Sequence, residues 1–446
     1  MDIMLILQII VLFGGIYLGV KLGGMGIGYA GGLGVIVLTI GLGMKPANLP
    51  WDVILIIASV ISAITAMQVA GGLDYMVQIA EKFLRKNPKY INYLAPIVTY
   101  LLTVFAGTGH TAFSILPVIT EVAKGQNIKP SAPLALSVVS SQVAITASPI
   151  SAAFVAMTGV CEPLGVSYPI LLLICISTTF GACLITSFIV NKFYDLDLSK
   201  DPIYQERLKK GLIKELKGQE HKELLPYAKR SVAIFGIGVL AVVIYALAIS
   251  NSIKLIDPVI LGRDGAIMSF MLTIGAFIVI LCKVDTSKLL STSTFQSGMN
   301  ACICVLGIAW LGSTFVAGHI DSIKEIASEV VTKYPYILAI ALYFVSCLLY
   351  SQAATTKIMM PAVALAMGMT TPENSGQIWI LVASFAAVSG LFVLPTYPTT
   401  LGAIAMDDTG TTKVGKFIIN HSFFIPGTIM VTISVMLGFI IAPILI

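Results

Sequence analysis

Residues 351–361, SQAATTKIMMP, place Ser351, Gln352, Thr355, Thr356 and the positive charge of Lys357 between two apolar runs, PYILAIALYFVSCLLY and AVALAMGM. A lysine at the centre of a bilayer costs ~2.5–3.5 kcal/mol unless it is solvated or paired. Other polar patches interrupt apolar sequence in the same way. FAGTGHTAFSILP (105–117) carries Thr108, Gly109, His110 and Thr111. SSQVAITASPISAA (140–153) carries Ser148, Pro149 and Ser151. SGLFVLPTYPTTLGA (389–403) carries Thr396, Tyr397, Pro398, Thr399 and Thr400. Pro395 and Pro398 cannot both sit inside an unbroken helix, because each removes an N–H and clashes with the preceding turn. Unwound backbone at membrane depth survives only when buried in protein or lining a wet cavity. A chain that restarts there presents helix N-termini, each with free N–H groups and about half a positive charge. Up to four such N-termini could face one place, with hydroxyls as neutral donors and Lys357 as a full charge. No Asp or Glu lies in the middle of an apolar run. The missing counter-charge is then an anionic substrate. Blander readings stay open: Lys357 can snorkel to the interface, His110 can be a hydrogen-bonded turn residue, and the prolines can be ordinary kinks.

These patches need elements to hold them. The chain has 446 residues, 57% hydrophobic and 11% charged, with mean hydropathy +0.94. A water-soluble domain carries roughly 25% charged residues. Apolar runs of about 20 residues recur, each long enough to cross ~30 Å of hydrocarbon. The ~10-residue alternating segments of a β-barrel are absent. The fold class is an all-α polytopic membrane protein. Full spans are expected at 3–20, 22–43, 52–71, 132–160, 168–191, 231–250, 264–282, 296–317, 377–406 and 417–445, about ten transmembrane helices. Those at 132–160 and 377–406 are broken helices. The stretches 89–123 and 335–367 are expected to be re-entrant helical hairpins. With this threading, 21 of the 27 Lys and Arg fall on the face opposite the N-terminus, five fall on the N-terminal face, and Lys357 is left within the membrane. The positive-inside rule makes the basic face cytoplasmic and both termini periplasmic. Residues 192–230, with seven acidic and ten basic side chains, read as a solvated helical cytoplasmic linker, with contact to anionic lipid as the minor alternative.

Residues 69–91 and 316–338 are identical at eight of 23 positions at a constant offset of 247. In both places a full span precedes, an interrupted apolar stretch follows, and then comes a long span broken by proline. Residues 1–191 and 231–446 thus read as two repeats of five crossings and one hairpin each. Five is odd, so the second repeat enters from the opposite face. Such an inverted-topology repeat is the plan of secondary transporters, whose substrates bind near the midplane between discontinuous helices. Offsets of 244 and 249 pair Thr111 with Thr355 and Pro149 with Pro398.

Other classes lack their residues. The seven cysteines lie mostly in apolar runs without a CxxC, and read as small buried hydrophobes. No metal, cofactor or nucleic-acid partner is expected. A hydrolase or prenyl transferase would need a nucleophile–base pair, HExxH, or paired aspartate-rich motifs. The single Asp407–Asp408 pair reads as structural or as a gate element. A cation or proton antiporter would bury a carboxylate within a span. His319 and His421 read as structural or interfacial, and His221 as solvent-exposed. The glycines of GGMGIGYAGGLG (23–34) read as close helix packing.

The strings MQVAGGLDYMVQIAEKFLRKNPKY, GTGHTAFSILP, SQVAITASPISA, ACICVLGIAWLGSTFV, LYSQAATTKIMMP, LPTYPTTLGAIAMDDTGTTKVGKF and NHSFFIPG resemble the bacterial anaerobic C4-dicarboxylate transporters, the Dcu family, nearly end to end. The resemblance implies transport of fumarate, succinate, malate and aspartate across the inner membrane, often by exchange. Fumarate enters as an electron acceptor and succinate leaves. It also implies a homodimer in which an elevator-type transport domain moves against a fixed scaffold domain. The substrate contacts carried over are Thr108–Thr111, Ser148–Ser151, Ser351–Lys357 and Thr396–Thr400. The wider superfamily's sodium-coupled carriers have Ser-Asn-Thr at the hairpin tips, whereas this chain has GTGH and SQAATT, so sodium coupling of that kind is not carried over. Ion-coupled symport, or carriage of another anion such as citrate or sulfate, is the alternative. A dianion would nearly neutralise the site, and an empty site would resist the return step, which favours exchange.

Overall fold

The computed structural model describes residues 3–22, 25–49, 51–213, 224–250, 253–319, 333–349, 351–395, 397–415 and 420–446. Thr396, His221, most of the amphipathic stretch of the second repeat and the middle of the linker lie outside these residues, as does the side chain of His110.

Among the described residues the chain is helical, with no strand beyond isolated bridges such as Val414 to His421. Helices α1 (Ile3–Leu22) and α2 (Gly26–Ile36) lead through a π-helical turn at Val37–Gly41 to α3 (Trp51–Val69). At Gly71 the backbone turns left-handed (φ 85°), and α4 (Gly72–Lys86) leaves α3 at 76°. A side chain at that φ would be strained, which is why glycine ends the span. There follow α5 (Ile91–Ala106), α6 (Leu116–Gly125), α7 (Ser131–Val143), α8 (Ala152–Cys161) and α9 (Tyr168–Phe193). A short α10 (Pro202–Lys209) lies in the linker. The second half runs through α11 (Ala228–Ala248), α12 (Arg263–Leu281), α13 (Ser293–Cys304), α14 (Trp310–Gly318), α15 (Tyr336–Leu349), α16 (Gln352–Ala366), α17 (Ile378–Ser384), α18 (Pro398–Met406) and α19 (Phe424–Leu445).

Among the described residues six apolar helices are long enough to cross a membrane, or up to eight if each bent pair, α3 with α4 and 378–393 with α18, is one span. Of the expected final span at 417–445, residues 417–419 lie outside the described residues, and among the rest the helix begins at Phe424. Before it, the His421 ring bonds Val393 O at 3.0 Å and folds the chain back.

The largest apolar core joins the two halves. Leu134 and Val138 of α7, Phe154 of α8 and Tyr168 of α9 share it with Leu342 of α15, Met360 of α16, Phe392 and Met430 of α19. A second core gathers Ile64 and Met67 of α3, Phe235 and Val239 of α11, and Met271 and Ile274 of α12. A third holds Leu38, Ile308, Leu311 and Leu349. Lipid gives little hydrophobic drive between helices, so close backbone approach matters. A Cβ on Gly31 would fall on the backbone of Gly307, within the π-helical turn Val305–Ala309. The glycines of the 23–34 stretch act here as packing surfaces.

Candidate functional site

Both broken helices fail in the same manner. α7 tightens into a 3-10 turn at Ala144–Ala147, extends at Ser148 (φ −89°, ψ 122°), and restarts as α8 after extended Ser151 (φ −77°, ψ 142°). α17 tightens over Phe385–Val393, extends at Leu394 (φ −95°, ψ 119°), and restarts as α18 after Tyr397 (φ −66°, ψ 138°). Each gap is closed by one turn: Ser151 N–H donates to Ser148 O at 3.1 Å, and Tyr397 N–H to Leu394 O at 3.4 Å. The shared conformations fall at 148 and 394 and at 151 and 397, a spacing of 246 rather than 249. Pro149 therefore corresponds to Pro395, each second in its turn, where a fixed φ suits proline. Pro398 is the first residue of α18, where a missing N–H costs nothing.

The breaks meet at Gln142, near the end of α7. The Gln352 amide, first in α16, donates to Gln142 O at 2.6 Å and to Ser389 Oγ at 2.9 Å. Gln142 Nε2 donates to Thr399 Oγ1 at 3.3 Å, at the start of α18. All four side chains are buried. Two of the expected helix N-termini, those of α16 and α18, thus meet one residue, the first at its backbone carbonyl and the second at its side-chain amide. The first tip joins them: a Cβ on Gly109 would stand 3.5 Å from Ser141 O, and the Phe113 ring lies where a Cβ on Gly402 would stand. Gln142 and Ser389 were not among the site residues expected from sequence. The signal was present, since Ser-Gln-x-Ala occurs at both Ser141–Ala144 and Ser351–Ala354, and the two glutamines bond each other.

The expected hydroxyls are held locally. Ser148 Oγ donates to Val104 O at 2.8 Å, and Thr111 Oγ1 to Thr108 O at 3.0 Å. Ser151 Oγ donates to Ile145 O at 2.6 Å and caps α8 by accepting from Phe154 N–H at 3.1 Å. Ser351 caps α16 by accepting from Ala354 N–H at 3.1 Å. Thr355 and Thr356 donate to Ser351 O and Gln352 O at 2.8 and 2.7 Å. Thr400 donates to Tyr397 O at 2.6 Å. In this arrangement these hydroxyls point their protons at backbone carbonyls, and the bonds shape the turns. Lys357 is half-buried in the second turn of α16, and Thr108 and Tyr397 are half-buried at their breaks.

Charged ties hold α6 and the segment after α18. Arg85, at the end of α4, bonds Glu121 of α6 at 2.9 Å, which brings the end of α6 back beside the start of α5. Lys124 of α6 bonds Asp408 at 2.8 Å. Arg207 of α10 donates to Asp408 O at 3.0 Å, docking the linker on the second half. Asp407 is buried and accepts from Thr409 N–H and Thr412 N–H at 3.0 and 2.7 Å, from Thr411 Oγ1 at 3.0 Å and from the Thr409 hydroxyl. It pins a loop. Arg263 of α12 grips Glu162 with both terminal nitrogens, at 2.6 and 3.1 Å, and lies 5.1 Å from the Tyr168 ring centre. His319 bonds Gln8 at 2.8 Å. His421 is buried, accepts at Nδ1 from Phe423 N–H at 3.3 Å, and so presents its proton at Nε2 to Val393 O. Burial lowers its pKa from 6.5.

The profile of the family described as "Anaerobic c4-dicarboxylate membrane transporter" matches residues 4–446. The chain is 60% identical over 443 residues to the C4-dicarboxylate transporter DcuA of Wolinella succinogenes, covering 99% of this chain and 100% of that one. It is 58% identical over 436 residues to the protein of the same name from Helicobacter pylori, with 98% of each covered. The anaerobic C4-dicarboxylate transporter DcuB of Escherichia coli is 38% identical over 446 residues, again with 98% of each covered. This chain is a multi-pass membrane protein that belongs to the anaerobic C4-dicarboxylate membrane transporters, a family of carriers and not of enzymes.

Proposed function

We propose that this chain exchanges C4-dicarboxylates, with fumarate, succinate, malate and aspartate as the substrate set, across the bacterial inner membrane. The observation that carries this reading is the Gln142 junction, where the starts of α16 and α18 and the first tip meet in a buried polar node. One carboxylate of the acid sits toward Thr108–Thr111 and Ser148–Ser151. The other sits toward Ser351–Lys357 and Thr396–Thr400, with Lys357 close by. Helix N-termini supply oriented donors. Hydroxyls now bonded to carbonyls would turn to the anion as the breaks separate.

The hairpins at 89–123 and 335–367 are re-entrant in this account, and the two halves form an inverted repeat. The matching backbone of the breaks supports that plan. The core that α5–α9 share with α15–α19 supports a moving unit, against a second core centred on α3, α11 and α12 that touches it through Ala106, Ile150 and Val155. An elevator displacement of one against the other, in a homodimer with periplasmic termini, fits this division. The loaded site is nearly neutral and crosses; the empty site keeps its positive potential and does not return.

The test is uptake of labelled fumarate by purified protein in vesicles, competed by malonate, succinate and glutarate. Succinate should compete far better than either neighbour in the series. Lys357→Ala should weaken succinate competition at least tenfold, the size of one good charged contact. Equal competition by citrate or sulfate would reassign the anion. Unchanged affinity and exchange in Lys357→Ala would remove the lysine from the account.

A further inference from the structure

Gln142 is fully buried, and its side-chain amide is anchored on one side only. Its nitrogen donates to Thr399 Oγ1 at 3.3 Å, while no donor among the described residues reaches Oε1. Other orphaned atoms occur, such as Thr65 Oγ1 and Ser434 Oγ, but Gln142 also bonds Gln352 and Thr399, at the starts of two helices. A buried acceptor without a donor is unfavourable. Placed in a site for a dianion it is a chemical contradiction, because carboxylates only accept. Fumarate and succinate bring nothing to donate to Oε1. A C4-dicarboxylate with a hydroxyl or ammonium group on C2 does.

From this we infer that Gln142 is a specificity-determining residue, whose amide oxygen accepts a hydrogen bond from the C2 substituent of hydroxy- or amino-dicarboxylates. The inference rests on the function proposed above. Thr399 holds the nitrogen, so the oxygen has one direction, and a fixed acceptor beside a chiral carbon also distinguishes its two hands. No neighbouring carboxylate is needed to recognise the ammonium group, which matches the absence of Asp and Glu from this stretch of α7.

The experiment is competition against labelled fumarate uptake in vesicles by unlabelled L-malate, L-aspartate and succinate, for the native chain and for Gln142→Met, which keeps the volume and removes the acceptor together with the donor to Thr399. The half-inhibitory concentrations of L-malate and L-aspartate should rise about tenfold relative to that of succinate, the scale of a lost hydrogen bond to a buried partner; the effect of losing the Thr399 bond is common to all three acids and cancels in that ratio. An equal change for all three acids would make Gln142 a structural strut and overturn the assignment. A loss confined to succinate would mean that the C2 substituent does not meet the amide oxygen, and would overturn it too. A second measurement needs no variant: in the native chain, L- and D-malate should differ in inhibition by at least fivefold, and equal inhibition would contradict a fixed acceptor. If the native chain takes up no C4 acid, the transport reading itself fails, a result distinct from uptake without discrimination at C2.

Discussion

At the residue scale, the site is a set of amides and hydroxyls whose protons are already placed. Gln352 carries most of that order. Gln352→Met would leave Gln142 O and Ser389 without its donor, at a cost of about 1–3 kcal/mol. The expected outcome is a lower unfolding temperature in detergent together with slower exchange; an unchanged melting curve would show that the junction is not a structural node. His421 makes a second prediction. Its neutral form accepts from Phe423 and donates to Val393, and burial lowers its pKa from 6.5. The unfolded chain then binds the proton more readily than the folded one. Stability from this group is full above about pH 6.5 and is lost as pH falls below it. Melting temperature should drop on acidification through that range, and His421→Gln, which keeps a donor for Val393, should flatten the drop. An identical pH profile in the variant would assign the acid sensitivity elsewhere. The polar patches around 108–111, 148–151, 351–357 and 396–400 were all visible in sequence, because proline, glycine and hydroxyls inside apolar runs have few other uses. Gln142 was not picked out, since a lone amide in SSQVAIT looks like one more small polar residue until the fold sets it beside Gln352.

At the element scale, the helices were readable from apolar run length, and their ends from glycine and proline. The register between the two breaks was not. Identity of residue type suggested pairing Pro149 with Pro398, but a turn needs proline at its second position and a helix tolerates it at the first, so Pro395 and Pro398 have different jobs. The start of α19 at Phe424 could not be read from hydropathy, because the sequence is apolar on both sides of Asn420–Ser422. The His421 ring, which has no local sequence signature, folds the chain back before Phe424. Two element contacts can be tested by stability. Gly31→Val would drive a branched side chain into the backbone at Gly307; overpacking costs about 1–3 kcal/mol, and the variant should accumulate poorly or melt early. Glu162→Ala would strand the half-buried Arg263 guanidinium, a loss of about 3–5 kcal/mol for a broken buried pair. Replacing both partners by apolar residues should recover much of that loss. A double variant as unstable as the single one would show that the Tyr168 stacking, and not the ion pair, holds α12 to α8.

At the scale of the whole molecule, composition alone placed the chain in the membrane, and 21 of 27 basic residues on one face suggested its orientation. Which apolar core the proposed elevator would move could not be read there, since every span is apolar; only packing gathers α3, α11 and α12 into a core distinct in its centre from the one shared by both halves. In the proposed mechanism an anion site between the two broken helices is carried across loaded and is held back when empty. The most direct measurement is uptake of labelled fumarate into vesicles containing the purified protein, with and without internal succinate, while sodium and proton gradients are varied independently. The account predicts uptake that requires internal succinate and is indifferent to both gradients. Concentrative uptake into empty vesicles that follows either gradient would contradict it, because the empty site would then return without a passenger.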